Sequence, residues 1–346
     1  MGQYFILVNL THREAEASGF FPSKFSGYVS ADDENFGIEQ NLAVARFPSE
    51  IPQAMAFIEE PPHSHLGRLS AFPSELIDAV FERLDVPLHV AHFAAAHPLL
   101  VPHGFARLLQ IRTRTFRHIT WSRSRIALVG DYLDRPDSVK GLLSDNMRAQ
   151  MRKVEERIAS EEGRERRLSL YEYASDYFKG VRHNSLGPWD ALQRKEENAL
   201  GTSDVRSGPA PVTGGTAHID QGRIDGLLHH VRAILPSLDT AVLCNSTKNE
   251  LVRAETLCAV KMDDRTQLSL GTAVLFLTVC TDDWSILPWC RSFPDPGKGD
   301  VIGRWAGDTL VIVGLDEAPE NMKDISEEVV AMVQRFVEME KRGYYQ

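Results

Sequence analysis

The histidines of this sequence are concentrated in one segment, and histidine is suited both to metal binding and to proton transfer near neutral pH. Six of the twelve lie between His63 and His103. No cluster of cysteines or carboxylates joins them, and prolines interrupt their spacing. The polar faces of short helices account for these histidines, so neither a metal nor another cofactor is predicted.

Carboxylates near the predicted strands are the other candidates for chemistry. Asp131 and Asp308 flank strand-like segments, and Asp282 and Asp283 are adjacent, but no base or nucleophile can be matched to them. The sequence also contains no GxSxG elbow, HExxH helix, Walker loop or GxGxxG turn after a strand. Aspartates at strand-ending turns are most often structural. The sequence therefore does not predict an enzyme.

The four cysteines are too far apart for CxxC metal or redox pairs: they are Cys244, Cys258, Cys280 and Cys290. Reduced, structural thiols are the prediction. The amino-terminal apolar run is short and has no basic stretch before it, so no secretory signal is predicted. We expect a cytoplasmic or nuclear protein.

Length and composition limit the class of protein. A chain of 346 residues has room for about two domains, and 43% hydrophobic with 25% charged residues is close to the globular average. The net charge of −10 argues against an electrostatic hold on nucleic acid or on an anionic membrane. No segment reaches the ~18 uninterrupted apolar residues of a membrane span. A folded protein with protein partners is predicted.

Two pairs of segments suggest internal repetition. Residues 6–14 align with 242–250 without a gap, and residues 121–130 align with 305–314 at Trp, Val and Gly. The first pair matches at Leu7/Leu243, Asn9/Asn245, Thr11/Thr247 and Glu14/Glu250. Asn9 to Trp121 spans 112 positions but Asn245 to Trp305 spans 60, so the first copy has 52 more. Chance similarity of short strands is the alternative to a duplicated α+β unit with an insertion.

The inserted segment has the spacing of short amphipathic helices. Between residues 69 and 85 the apolar positions fall on one broad face, and Pro73 suits a first helical turn. The same spacing recurs at Val90, Phe93 and Ala94, and again at Phe105, Leu108 and Leu109. Three helices in about 40 residues expose more apolar surface than they can cover themselves. They should pack on the rest of the chain or on another protein.

These residues resemble the F-box, whose Leu-Pro-x-Glu-Leu start precedes helices that dock on the Skp adaptor of cullin-based ubiquitin ligases. The resemblance covers about 40 of 346 residues and departs from the family at Phe72 and at Ala96-His97. The MGQYF start, the segment from Trp121 to Tyr132 and the block 304–308 are similar to fungal F-box proteins whose other regions have no assigned activity. The resemblance implies a non-enzymatic adaptor that joins an unknown substrate protein to a Skp adaptor and, through it, to a cullin.

The resemblance also implies the residues that bind the Skp adaptor. They are Phe72, Pro73, Glu75, Leu76, Ile77, Val80, Phe81, Leu84, Leu88, Val90 and Phe93. Some of them must serve the internal core, and the sequence does not divide the two groups. Two alternatives stay open: an orphan enzyme or small-ligand-binding protein in which these helices only pack, and a scaffold that holds the adaptor without delivering substrates.

The remaining segments complete an α+β organisation. Residues 145–167 predict a charged packing helix, and 201–216 have 11 Gly, Pro, Ser or Thr among 16 positions, which predicts a flexible linker. The predicted boundaries are 1–60 and 113–135 for the halves of the first repeat, 66–112 for the F-box, 136–195 for a helical connector, 196–222 for the linker, and 223–346 for the second repeat with a carboxy-terminal helix.

Overall fold

The computed structural model describes residues 3–16, 23–25, 32–48, 67–133, 141–163, 165–181, 221–260, 268–281 and 301–341. The chain forms two compact units. The first, here called the sheet unit, comprises Met1–Val44, Trp121–Pro188 and Pro236–Gln346. The second, here called the helical unit, comprises Ala45–Thr120 and Trp189–Leu235. Residues 196–220 of the predicted linker lie outside the described residues.

The described part of the sheet unit contains one mixed sheet of eleven strands. In chain order the strands are β1 Tyr4–Asn9, β2 Glu14–Glu16, β3 Ser23–Lys24, β4 Ser124–Gly130, β5 Lys179–Val181, β6 Ala241–Asn245, β7 Glu250–Arg253, β8 Val279–Thr281, β9 Val301–Ile302, β10 Thr309–Gly314 and β11 Lys323–Asp324. Their order across the sheet is β11-β7-β6-β10-β4-β1-β2-β5, with β3 beside β1, and with β8 between β4 and β9. Helices and a mixed sheet together confirm the α+β class.

Six helices lie in the described part of this unit. They are α1 Asp32–Leu42, α5 Asp145–Glu162, α6 Leu170–Tyr177, α8 Ala254–Cys258, α9 Leu270–Thr278 and α10 Ser326–Lys341. Side-chain oxygens cap several of them: Ser144 accepts from the N–H of Met147 at the start of α5, and Ser169 and Glu172 form a capping box at α6. The helices cover apolar faces of the sheet. On one side the rings of Phe25, Phe276 and Phe336 meet edge to face, with centroids 5.0–5.5 Å apart.

The strand pairing repeats itself within the sheet. The β1–β2 hairpin pairs Asn9 with Glu14, and the β6–β7 hairpin pairs Asn245 with Glu250. β4 adds antiparallel to β1, as β10 adds antiparallel to β6. β5 lies parallel to β2, as β11 lies parallel to β7. β4 and β10 then pair with each other in the centre of the sheet.

In each half of the unit, a residue that directly follows a helix pairs with a strand of the other half. Ala43, which follows α1, bridges Ile312 of β10 in parallel. Val279, which follows α9, pairs with Leu128 of β4 in parallel. The two bridges occupy corresponding places, because Ala43 and Val279 are 236 positions apart, as are Asn9 and Asn245. Both halves of the sheet therefore depend on residues from the other half.

The helical unit contains four helices among the described residues. They are α2 Ser74–Glu82, α3 Pro87–Ala95, α4 Val101–Ile119 and α7 Gln221–His230. Short 3₁₀ segments at Gly67–Ala71 and Pro98–Leu100 precede α2 and α4. The first three helices lie where the sequence predicted them. α7 belongs to this unit, although the sequence assigned residues from 223 onward to the second repeat.

Candidate docking surface

Prolines determine where the first two helices of this unit begin. Pro73 is the residue before α2, and its extended backbone (φ −64°, ψ 157°) suits that place. Its carbonyl accepts the N–H of Leu76 at 3.0 Å, which closes the first turn. Pro87 lies in the first turn of α3, where its missing N–H would have had no helical partner. The path of the chain into α2 is thus restricted at Pro73.

The helices α3 and α4 approach each other so closely that one residue of α4 at their contact must be glycine. A Cβ atom on Gly104 would lie 2.2 Å from the Cβ of Ala94 and 3.3 Å from the ring of Phe81. The ring of Phe81 is also 4.9 Å from that of Phe93, centroid to centroid. Phe81 therefore anchors α2 in the contact between α3 and α4.

The interior of the helical unit is apolar and includes residues of α7. Its buried members are Ile77, Phe81, Val90, Ala91, Ala94, Ala95, Leu100, Val101, Phe105, Leu108, Ile111, Ile224, Leu227, Leu228 and Val231. The last four have the i, i+3, i+4, i+7 spacing of a single helix face. A helix more than 100 positions downstream thus supplies one wall of the core.

Exposed apolar side chains lie on the opposite face of α2 and just before its first residue. We call Phe72, Leu76 and Val80 the apolar stripe; their exposed fractions are 50%, 49% and 48%. Leu76 and Val80 are four positions apart in α2, so they lie one above the other on the helix, and Phe72 precedes the extended Pro73 at its start. Pro73 and Glu75 beside them are also exposed. Three exposed large apolar residues are thus concentrated within one short segment of the described chain.

The structure divides the eleven residues that the F-box resemblance implied for binding. Ile77, Phe81 and Val90 are buried in the unit's own interior, so we remove them from the docking residues. Leu84, Leu88 and Phe93 are partly buried and pack against that interior. The exposed members are Phe72, Pro73, Glu75, Leu76 and Val80.

Polar contacts from α4 hold the middle and the carboxy-terminal end of α2. The buried guanidinium of Arg107 donates from Nε to the carbonyl of Leu84 at 3.0 Å. Its Nη2 donates to the carbonyl of Glu82 at 2.8 Å and to Oδ1 of Asp85 at 2.9 Å. These bonds satisfy carbonyls at the helix end that have no partner within the helix. One turn earlier in α4, Nδ1 of His103 lies 2.5 Å from Oδ1 of Asp78.

Two functional features were missed from the sequence. The apolar spacing of Ile224, Leu227, Leu228 and Val231 predicts a helix, but spacing does not show which unit the helix joins. The role of Arg107 carries no sequence signal, because its three acceptors at the end of α2 lie 22–25 positions away and two of them are backbone carbonyls. Both features contribute to the orientation of the apolar stripe.

In the described ranges, no group of three or more His, Cys, Asp or Glu residues is placed to hold a metal ion. None of the described helices combines the length and the apolar character needed to cross a membrane. His63, His65, Cys290, Asp282 and Asp283, which the sequence singled out, lie outside the described residues.

Comparisons of the chain with protein-family models, with curated proteins and with solved structures gave no match.

Proposed function

We propose that this protein is a non-enzymatic F-box adaptor, in which the helical unit binds a Skp adaptor and the sheet unit holds a substrate protein for a cullin-based ubiquitin ligase. The apolar stripe carries this proposal. It exposes Leu76 and Val80 on α2 and Phe72 just before it, while Phe81 packs the opposite face of this helix into the interior of the unit. Aligned apolar exposure of this kind is typical of a surface that another protein covers.

The stripe has the chemistry of a helix that enters an apolar groove. Leu76 and Val80 on one face of α2, with Phe72 at its start, can enter a groove together, and a few such anchors then carry most of the binding energy. Glu75 lies exposed beside the anchors, so it belongs to the polar rim, where one charge contributes little. Phe72 and Leu76 are the expected main anchors, since they offer the larger apolar area.

Binding to a purified Skp adaptor tests the proposal. We expect the double variant Phe72→Glu/Leu76→Glu to lose at least about 30-fold in affinity, because two charges would have to be buried in the contact. Val86→Glu is the matched control: Val86 is 47% exposed in the same unit but lies outside the stripe. It should bind like the unmodified protein. Undiminished affinity of a folded double variant would refute the docking assignment.

Binding of the cullin distinguishes an adaptor that delivers substrates from a scaffold that only holds the Skp adaptor. Complexes assembled from this protein, the Skp adaptor and the cullin should contain all three, as the F-box resemblance implies. A complex that always retains the adaptor and always excludes the cullin would favour the scaffold instead.

We further infer that the sheet unit consists of two copies of one α+β unit, with the F-box at 66–112 inserted in the first copy. The matching hairpins, the matching parallel bridges and the central β4–β10 pair support this inference. Corresponding residues that make the same strand pairs at a constant sequence offset are expected of a duplicated sequence and are improbable for unrelated segments. The two copies together would form the body that recognises a substrate.

A further inference from the structure

One turn of the sheet unit has beside it a carboxylate, that of the partly buried Asp308, which its counterpart does not have. In the β6–β7 turn, Oδ1 of Asn245 accepts the N–H groups of Thr247 at 2.9 Å and Lys248 at 3.1 Å. Its Nδ2 donates to Oδ2 of Asp308 at 2.8 Å. The ammonium of Lys248 lies 3.4 Å from the same oxygen. Every polar atom of the Asn245 amide is therefore used.

The β1–β2 turn has the same backbone geometry. Oδ1 of Asn9 accepts the N–H groups of Thr11 at 2.9 Å and His12 at 3.0 Å. Oγ1 of Thr11 accepts the N–H of Arg125 at 3.0 Å, as Oγ1 of Thr247 accepts the N–H of Thr309 at 3.2 Å. The two turns can therefore be compared atom by atom.

The residue that corresponds to Asp308 is Ser124. Each donates its backbone N–H to the carbonyl of a tryptophan three positions earlier, both at 3.0 Å. Serine has no carboxylate, and Nδ2 of Asn9 is buried without a hydrogen-bond partner among the described residues. Asn9 itself is 0% exposed. A buried amide donor without an acceptor destabilises a fold, so an acceptor is expected at this place.

The residues beside this position differ between the two turns. His12 takes the place of Lys248, and Arg123 takes the place of Gly307. Arg123 keeps the left-handed backbone of its counterpart, with φ 59° against 74° for the glycine. The side chains of His12 and Arg123 are exposed. Arg123 therefore adds one positive charge next to Ser124, at a position where the second turn has a glycine.

We propose that the position beside Asn9 and Ser124 binds a carboxylate group supplied by another molecule, in the place that the side chain of Asp308 fills in the second turn. The amide of Asn9 donates to one carboxylate oxygen, and Arg123 provides the opposite charge. Asn9 and Ser124 are almost completely buried, so the bound group must be small or the tip of a side chain. The proposal is independent of the Skp adaptor, because none of these residues belongs to the helical unit.

Formate is the probe that tests the site, since it is the smallest carboxylate. Sodium formate should raise the melting temperature of the full chain above the value in sodium chloride at the same ionic strength, and the rise should saturate. Ser124→Asp supplies the carboxylate within the chain and should abolish this rise. Asn9→Asp keeps both acceptors for the turn but loses the donor, so it should abolish the rise as well.

The second turn provides the matched control. Asp308→Ser leaves Asn245 without its carboxylate acceptor, as Asn9 is. This variant should have a lower melting temperature in chloride, and formate should restore part of that decrease. A formate effect of the same size in the unmodified protein, in Ser124→Asp and in Asn9→Asp would overturn the proposal, as would the absence of any formate effect in the unmodified protein. Loss of the effect in either variant supports it, so the test does not depend on one variant that fails to fold.

Peptides distinguish the two sources of the carboxylate. A short peptide with one glutamate, compared with the same peptide carrying glutamine, competes with formate if the site takes the side chain of a partner protein. If formate binds and the glutamate peptide does not compete, the ligand is a small free carboxylate. Both results retain the carboxylate site, and a glutamine peptide that competes equally well would overturn it.

Discussion

Trp305 donates its indole N–H to Oε2 of Glu250 over 2.6 Å, and both residues are buried in the sheet unit. Glu250 also forms an ion pair with Arg304, whose side chain is mostly buried. Trp121 donates in the same way to Oε2 of Glu14 over 2.9 Å. The tryptophan of each half is thus fixed to the second strand of its own hairpin.

The first prediction concerns these two glutamates. Glu250→Leu should lower the free energy of unfolding by about 1–3 kcal/mol, because the buried indole N–H and Arg304 both lose an acceptor. Glu14→Leu should cost less, because its ion-pair partner Lys179 is 76% exposed and can be solvated. Urea unfolding followed by tryptophan fluorescence measures both. An equal or larger loss for Glu14→Leu would contradict this account.

The second prediction separates the two faces of α2. Phe81→Ala should destabilise the protein by about 3–5 kcal/mol, because it opens a cavity between α3 and α4. Leu76→Ala should change stability by no more than about 0.5 kcal/mol, because Leu76 is half exposed. Calorimetry of the free protein checks both values. A large loss for Leu76→Ala would show that the stripe has a structural role within the chain.

The same helix shows what could be predicted from the sequence and what could not. The spacing of apolar residues placed α2, α3 and α4, because local periodicity determines a helix. It did not separate Ile77 and Phe81 from Leu76 and Val80. In a short helix with apolar residues on both faces, the sequence spacing is compatible with a single broad apolar face. Which face is buried depends on packing partners far away in the sequence. α7 is such a partner.

The sheet unit gives the complementary result. The aligned residues Asn9/Asn245 and Glu14/Glu250 make corresponding contacts, so the sequence comparison located atoms that share a structural place. The difference between Ser124 and Asp308 was visible in the same comparison. The sequence did not show that this difference leaves the Asn9 amide without an acceptor, because that depends on the burial of Asn9. The parallel bridges of Ala43 and Val279 had no sequence signal, because single residue pairs between distant segments follow from the folded topology.

The third prediction concerns pH. Burial raises the pKa of Glu39 above its ordinary value of 4.5, although Oε1 accepts the N–H of Gly271 at 2.7 Å. A raised pKa in the folded state means that the charged form disfavours folding, so the contribution to stability is complete below the ordinary pKa and is lost as pH rises through the raised one. The contribution of Glu39 to the free energy of unfolding should therefore increase as pH falls from neutral.

Glu39→Gln removes the charge and retains an oxygen that can accept from Gly271. This variant should be more stable than the unmodified protein at neutral pH, and the difference should narrow as pH falls through the raised pKa toward 4.5. Parallel urea titrations at several pH values give the difference directly, and effects of other carboxylates cancel in it. A difference that stays constant from neutral to acidic pH would exclude Glu39 as the group responsible.

The fourth prediction concerns the dependence of the two halves of the sheet on each other. A protease site inserted between Gly208 and Pro209, within the predicted flexible linker, cuts the chain between the two proposed copies. The cleaved pieces should stay together in gel filtration without denaturant, because Ala43 pairs with β10 and Val279 pairs with β4. After separation in denaturant, neither piece should refold alone, because each would lack strand partners and expose apolar faces of its sheet. Mixed again, the two pieces should recover the fold. A single piece that refolds cooperatively by itself would show that the exchanged segments are not required, and the mutual dependence of the two halves would have to be given up.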